Sequence, residues 1–317
     1  MRRAHRLIGL GMAAWLCLHP GTTLAQSTPR DFGEIKGWVL ATDNGYPPWV
    51  NDGIELVHFP TTSVQASSTL AHKKNLYRPE HAFDGKDGTV WAEGRQGAGE
   101  GEWISITLKS PFPNADAFRS QAMEAIQHAL SLEYFDPEVD GTPEENLGIL
   151  RNSGEYQSAS ASERAKLEQE FQTNLADQKT TMEITLAENA ARMQKMTNHQ
   201  LAMDWRGFPH LAGISILPGL VNPGTYYRQN ARPKRVRLEV SHLDVDGNPR
   251  KISAFFLVED KPREQVYPLD DSLGKIPMIG QITFRFTVES VYPGSKYQDL
   301  VVTDIAVIFY RLPPETT

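Results

Sequence analysis

Two stretches of this chain alternate apolar and polar residues with a period of two, and the long segment between them does not. The run Trp103-Ile104-Ser105-Ile106-Thr107-Leu108 shows the alternation plainly, as do Arg235 to Val240 and Ile282 to Val288. Gly213 to Leu217 and Val301 to Tyr310 are similarly rich in β-branched residues. Successive side chains of a strand point to opposite faces, so this pattern places one face in a core and the other in water. Many such runs, separated by Gly, Pro, Asn and Asp turns, specify a mainly β sandwich or barrel. The expectation is that 61–112 and 206–312 close into a single discontinuous β-sandwich, with the segment 113–205 inserted between neighbouring strands.

That segment has a helical period. Phe118, Met123, Ile126, Leu130 and Leu132 fit one amphipathic helix, followed by a loop rich in Pro, Gly and acidic residues. A second helix begins at Ser160, which forms an S-x-x-E capping box with Glu163. Leu167, Phe171, Leu175, Met182, Leu186, Ala190 and Met193 then lie along one helical face. Running to about Met203 it would extend for about 60 Å, with a break allowed near Asn198-His199. A sandwich of this size cannot bury such a helix. Its apolar stripe needs the first helix, the sandwich flank or another chain, and a helical hairpin arm returns both ends to the β-domain. The arm reads equally as a rigid spacer or as a surface for partner binding or self-association.

The chain opens with a secretory signal over residues 1–26. Arg2, Arg3 and Arg6 precede the apolar stretch Leu7 to Leu18, and Thr23-Leu24-Ala25 offers a small-residue cleavage site. The apolar run is too short for a comfortable membrane span, so no transmembrane segment is expected after cleavage. Cleavage would also remove Cys17, the chain's single cysteine. A periplasmic or secreted protein without disulfides is expected, stabilised by packing alone. Without the three leader arginines, the formal charge of -7 becomes -10. Segment 113–205 holds 16 acidic and 7 basic residues and so carries nearly all of that excess. Generic nucleic-acid binding has no electrostatic basis here. Residues 27–60 read as an N-terminal extension with short strands at Trp38–Ala41 and Ile54–Phe59. Trp49, beside two prolines, reads as a sugar-stacking platform or as a packed lid over a core edge.

Chemistry concentrates in Tyr77 to Leu108. Asp84, Asp87 and Thr89 place three oxygen-bearing side chains around Gly85 and Gly88, a spacing that suits a hard cation such as calcium. An ordinary Asp-Gly turn has the same spacing. Asp244-Val245-Asp246-Gly247-Asn248 offers the same choice, with a hairpin turn the simpler reading. Enzyme signatures are missing: the sequence has no G-x-S-x-G, H-E-x-x-H or Walker motif. Glu133, Asp136, Glu138 and Asp140 cluster in the insertion alongside His128 and His199, and read as surface charge rather than acid–base machinery.

Ala82-Phe83-Asp84-Gly85, Thr89-Val90-Trp91, Glu93-Gly94 and Gly99-Glu100-Gly101-Glu102-Trp103-Ile104 together resemble the discoidin-like (factor V/VIII type C, galactose-binding-like) fold. More narrowly, they resemble the translocation domain attached to bacterial NAD glycohydrolase toxins. Asn230, Arg232-Pro233-Lys234, the run Tyr292-Pro293-Gly294-Ser295-Lys296-Tyr297-Gln298-Asp299 and Thr303-Asp304-Ile305 extend the likeness. The resemblance implies a discoidin-like jelly-roll β-sandwich used for binding. It also implies a structural calcium held by Asp84, Asp87, Thr89 and Asp304 with backbone carbonyls, although relatives often carry glutamate at the last position. Trp91, Tyr226, Tyr227, Asn230 and Arg232 are the candidate ligand-binding residues, since sugar recognition pairs an aromatic face with a few fixed polar groups. Trp91 packing under the Asp-Gly turn, and Arg232 launching a strand, are the plain structural alternatives. The catalytic domain of the related toxins is a separate region, for which this chain has no room. The resemblance thus implies an exported, non-catalytic module recognising a glycan or an envelope or cell-surface protein. The alternative is an envelope scaffold whose helical arm makes the functional contact.

Overall fold

The computed structural model describes residues 30–35, 38–39, 55–134, 142–205, 208–221, 224–269 and 278–311. The signal segment, Trp49 and Asp136 to Asp140 lie outside them. The strands are β1 (Arg30–Ile35), β2 (Trp38–Val39), β3 (Glu55–Val57), β4 (Thr61–Ala66), β5 (Trp91–Ala92), β6 (Trp103–Lys109), β7 (His210–Pro218), β8 (Arg232–Leu243), β9 (Pro249–Leu257), β10 (Gln265–Pro268), β11 (Ile279–Tyr292) and β12 (Val301–Arg311). They form two sheets, ordered β1-β9-β8-β11-β6-β4 and β2-β10-β7-β12-β3, with β5 pairing with β12. The sheets are open, and the helices add more than a simple jelly roll contains.

The alternation seen in the sequence builds the core. In β8 the buried Val236, Leu238 and Val240 alternate with Arg235, Arg237 and Glu239. In β11, Ile282, Phe284, Phe286 and Val288 point inward while Thr283, Arg285 and Thr287 do not. Ile104, Ile106 and Leu108 from before the insertion pack in one cluster with Ile214, Ile216, Phe284, Phe286 and Ile305 from after it. Burying each of these large side chains contributes roughly 1.5–3 kcal/mol. β6 runs antiparallel to β11 from Thr287↔Trp103 to Gln281↔Lys109, so the two β-rich tracts share one sheet. The N-terminal extension completes the sheet edges: β1 lies parallel to β9, β2 pairs with β10, and β3 pairs with β12. Its described strands therefore belong to the sandwich.

The insertion folds as α1 (Ala115–Tyr134), α2 (Pro143–Asn152), α3 (Gly154–Ser158), α4 (Ala161–Lys195) and α5 (Asn198–Asp204). Ser160 and Glu163 form the expected capping box at the start of α4. α4 spans about 52 Å at 1.5 Å per residue. It stops at Met196, and Thr197 with Gln200 forms a second capping box that starts α5. The loop expected before Ser160 contains α2 and α3 instead. Thr142 and Glu145 cap α2, and Ser153 caps α3.

The root of the arm is dry and aromatic. Phe112, Phe118, Ala122, Met193, Leu201, Ala202 and Phe208 cluster with Val245 and Ile279 at one end of the sandwich. Arg119 donates to the carbonyls of Met193, Gln194 and Met196 and to Asn198 Oδ1, closing the C-terminal end of α4. Asn198 Nδ2 donates to the Val245 carbonyl at 2.8 Å, tying the arm to the β8–β9 turn. That turn is a hairpin. Asp244 accepts from the amides of Asp246 and Asn248 and from Arg250 at 2.7 Å, using the oxygens a cation would need.

Candidate functional site

The end of the sandwich opposite the arm gathers the long loops. Glu93 pairs its backbone with Leu300, Ala231 bridges to Leu300, and the Gly219 amide donates to the Val301 carbonyl. Leu70, Tyr77 and Leu220 pack on Val90, Ala92 and Val301, joining loop 67–78 to loop 219–231. Segments 67–102, 219–231 and 293–300 thus meet at one loop pole.

A 3-10 turn, Pro79–Phe83, delivers Asp84 at its C-terminal cap, and Gly85 follows with a φ of +69°. That left-handed angle is where glycine carries no steric penalty. Asp84 accepts from the Thr89 hydroxyl at 2.8 and 3.0 Å and from the Lys86 amide at 3.1 Å. The Gly85 amide donates to Asp304 Oδ1 at 3.2 Å. Asp84, Thr89 and Asp304 therefore converge across more than two hundred residues of sequence. Burial, and then the negative Glu264 and Asp84 nearby, push the Asp304 pKa up to about 6. Asp87 is exposed, and no described contact draws it toward the other three. Among the described residues no group of three or more His, Cys, Asp or Glu side chains is gathered for a metal ion. The donor set that does form is oxygen only, the chemistry calcium prefers. A cation there would relieve the repulsion acting on Asp304.

Two carboxylates pin the glycine-rich connector. Glu93 is fully buried; its oxygens accept from the Arg95 amide at 2.6 Å and the Leu300 amide at 3.4 Å. Burial raises its pKa against those hydrogen bonds. Glu102 accepts from the hydroxyls of Ser67 and Ser68 and pairs with Arg95 at 3.2 Å.

Three of the expected ligand residues, Trp91, Tyr227 and Arg232, are buried within this scaffold, the structural alternative for each of them. Trp91 is 0% exposed, with its indole N–H bound to the Ser68 carbonyl at 3.0 Å. Tyr227 is 3% exposed and its hydroxyl has no hydrogen-bond partner among the described residues. Arg232 is 4% exposed and holds Asp260 with both prongs, at 2.8 and 3.1 Å. Its guanidinium stacks 5.1 Å from the Tyr227 ring centre and donates to the Asn230 carbonyl at 2.6 Å. Burial pushes the Asp260 carboxyl up, but Arg232 outweighs it and holds the group below its usual range. Trp91 and Arg232 reached the interior because their polar tips found partners there.

Tyr226 and Asn230 remain at the surface. Tyr226 is 44% exposed, and Asn230 Nδ2 donates to the Tyr226 carbonyl at 3.4 Å. A second exposed aromatic, Tyr297 at 42%, lies in the neighbouring loop. Lys296 sits 4.9 Å from its ring centre; a hydrogen bond to Tyr297, with Tyr226 nearby, raises the lysine pKa. The amides of Lys296 and Tyr297 both donate to the Gln229 carbonyl, binding this loop to the one that carries Tyr226. A Cβ at Gly294 would overlap the Tyr297 carbonyl oxygen, so this close approach requires glycine. Tyr297 and Lys296 were not singled out from the sequence as ligand residues. Their signal was the paired Tyr-Pro-Gly-Ser-Lys-Tyr block.

The chain was also compared with known proteins. No curated protein matches it. Among solved structures, the CBM32-1 and CBM32-2 domains from Clostridium perfringens ZmpB align at 6% identity with a TM-score of 0.30, covering 79% of this chain and 34% of that one. The same domains in complex with GalNAc align at 6% identity with a TM-score of 0.35, covering 90% and 41%. The chain spans only about a third to two fifths of those structures, and a likeness this distant carries no functional argument. Over residues 58–116 the chain matches the family model described as the NAD glycohydrolase translocation F5/8 type C domain, the family its residues resemble.

Proposed function

We propose that this protein is an exported, non-catalytic glycan-binding module with a discoidin-like jelly-roll core, and that its loop pole holds the sugar. One observation carries the reading: Tyr226 and Tyr297 stand exposed on two loops locked to each other, with Lys296 and Asn230 beside them. Paired aromatic faces with fixed polar neighbours on a rigid scaffold suit sugar rings. A calcium ion held by Asp84, Thr89 and Asp304, with backbone carbonyls, would stiffen the loop that carries the Asp-Gly turn; Asp87 would have to swing in to join it. The match over residues 58–116 supports a binding rather than a catalytic role. The test is a glycan array probed with the purified protein. Saturable hits that weaken roughly tenfold or more in Tyr226→Ala and Tyr297→Ala, at unchanged melting temperature, support the reading. Hits indifferent to both substitutions, or no hits at all, overturn it.

A second reading has its own observation. Leu167, Phe171, Leu175, Met182 and Leu186 line α4 and remain partly exposed, while only Met193 of that helix is buried. An envelope adaptor working through this stripe would lose partner capture or self-association in Phe171→Glu with Leu175→Glu. The array result would be unaffected.

A further inference from the structure

We propose that the glycan held at the loop pole is acidic, carrying uronate, sulfate or phosphate groups that the loop Ala71–Arg78 recognises; this rests on the glycan reading above. Several cations of the sandwich answer a carboxylate. Arg235 and Arg237 share Glu289, Lys251 meets Glu239, Arg250 meets Asp244, Lys261 meets Glu259, and Arg232 meets Asp260. Lys73, Lys74 and Arg78 are exposed within six residues of one another and have no ion pair among the described residues. Their only acidic neighbour in the loop, Glu80, is exposed and unpaired with them.

This loop is held in shape. The Asn75 amide donates to the His72 carbonyl at 2.9 Å, and the Lys74 amide to His72 Nδ1 at 3.2 Å. His81 Nδ1 lies 2.9 Å from the Leu76 carbonyl, and the His72 ring meets Tyr77 edge-on at 5.6 Å. Asn75 has a φ of +50°, the single non-glycine residue at positive φ among those described. Such a conformation costs energy and persists where surrounding contacts enforce it. Tyr77 and Leu220 pack on one cluster, Val90, Ala92 and Val301, which places the basic loop near the loop that carries Tyr226. A cluster of exposed cations on a shaped loop, without ion pairs among the described residues, provides local attraction for anions on a chain of net charge -7, since screening confines each charge to about 8 Å at physiological salt.

The test uses the full chain and a panel of polysaccharides in matched pairs, acidic and neutral on one backbone: polygalacturonate with its methyl ester, dextran sulfate with dextran, and phosphorylated with plain mannan. At least one acidic member should bind about tenfold or more tighter than its neutral twin, with affinity falling as salt rises. Lys73→Ala with Lys74→Ala should abolish that preference at unchanged melting temperature. Lys109→Ala with Lys195→Ala, which removes equal charge elsewhere, should leave it intact. Equal binding of both members of every pair, lost on Tyr226→Ala, overturns the acidic assignment while the glycan reading stands. No binding to any glycan overturns both. Equal loss in the control pair, or displacement of the polysaccharide by phosphatidylglycerol vesicles but not by phosphatidylcholine vesicles, overturns this inference by assigning the loop to bulk charge or to lipid.

Discussion

The two ends of the sandwich solve the same problem differently. At the arm root the chain is closed by packing: Phe112, Phe118 and Phe208 meet at 5.3–5.6 Å between ring centres, and Trp205 joins them. At the loop pole it is closed by polar clamps: Glu93 on backbone amides, Glu102 on two serines, Arg232 on Asp260. Packed aromatics leave little surface chemistry to spare. Clamped loops fix the backbone while leaving other side chains free, and the exposed tyrosines and lysines stand there. The sandwich supports both because its strands run from one end to the other, as β11 does from Ile279 to Tyr292.

Substitutions at each end should separate the two designs, the largest effect coming from packing. Phe118→Ala removes a fully buried ring at the arm root. It should cost about 3–5 kcal/mol in denaturant unfolding and leave glycan affinity unchanged; a loss of binding instead would show that the ends are coupled. Arg232→Ala should cost about 2–3 kcal/mol, less than a fully buried pair because Asp260 is partly solvated. It should also weaken binding, since Arg232 braces the Asn230 carbonyl.

Asp304 gives a pH signature that only the loop pole should show. Its folded pKa, about 6, lies above the ordinary carboxylate value. Its contribution to stability is therefore fully present below pH 4 and is lost as pH rises through 6. In metal-free protein Asp304→Asn should gain about 3 kcal/mol at pH 7.5 relative to the parent, and nothing at pH 4. Millimolar calcium should raise the parent's melting temperature at pH 7.5 more than at pH 5, and should not raise that of Asp304→Asn. No calcium response at either pH would remove the metal from the proposal. Smallest of all, Arg119→Ala should cost about 1–2 kcal/mol while speeding hydrogen exchange in the last turn of α4, with the loop pole silent.

Much of this architecture is legible in the sequence because it follows from local rules. Period-two alternation marks β6, β8 and β11, and Ser160 with Glu163 marks the start of α4. The break at Met196 was expected only loosely, although Thr197 and Gln200 spell out a capping box of their own. The helices at 143–158 were missed because their acidic, glycine-containing sequence reads as loop, while Thr142 and Ser153 supply caps that outweigh it. The site was less legible. Convergence of Asp84 with Asp304 followed from the family resemblance, but the inward turn of Tyr227 and Arg232 depends on Asp260, a residue that nothing nearby in the sequence connects to them. Exposure of Tyr226 beside the buried Tyr227 is decided by tertiary closure, not by propensity.

The helical hairpin leaves the β-domain from the face that points away from Tyr226 and Tyr297. A polymer lying across those tyrosines and a body resting on the far tip of α4 would therefore not compete for space.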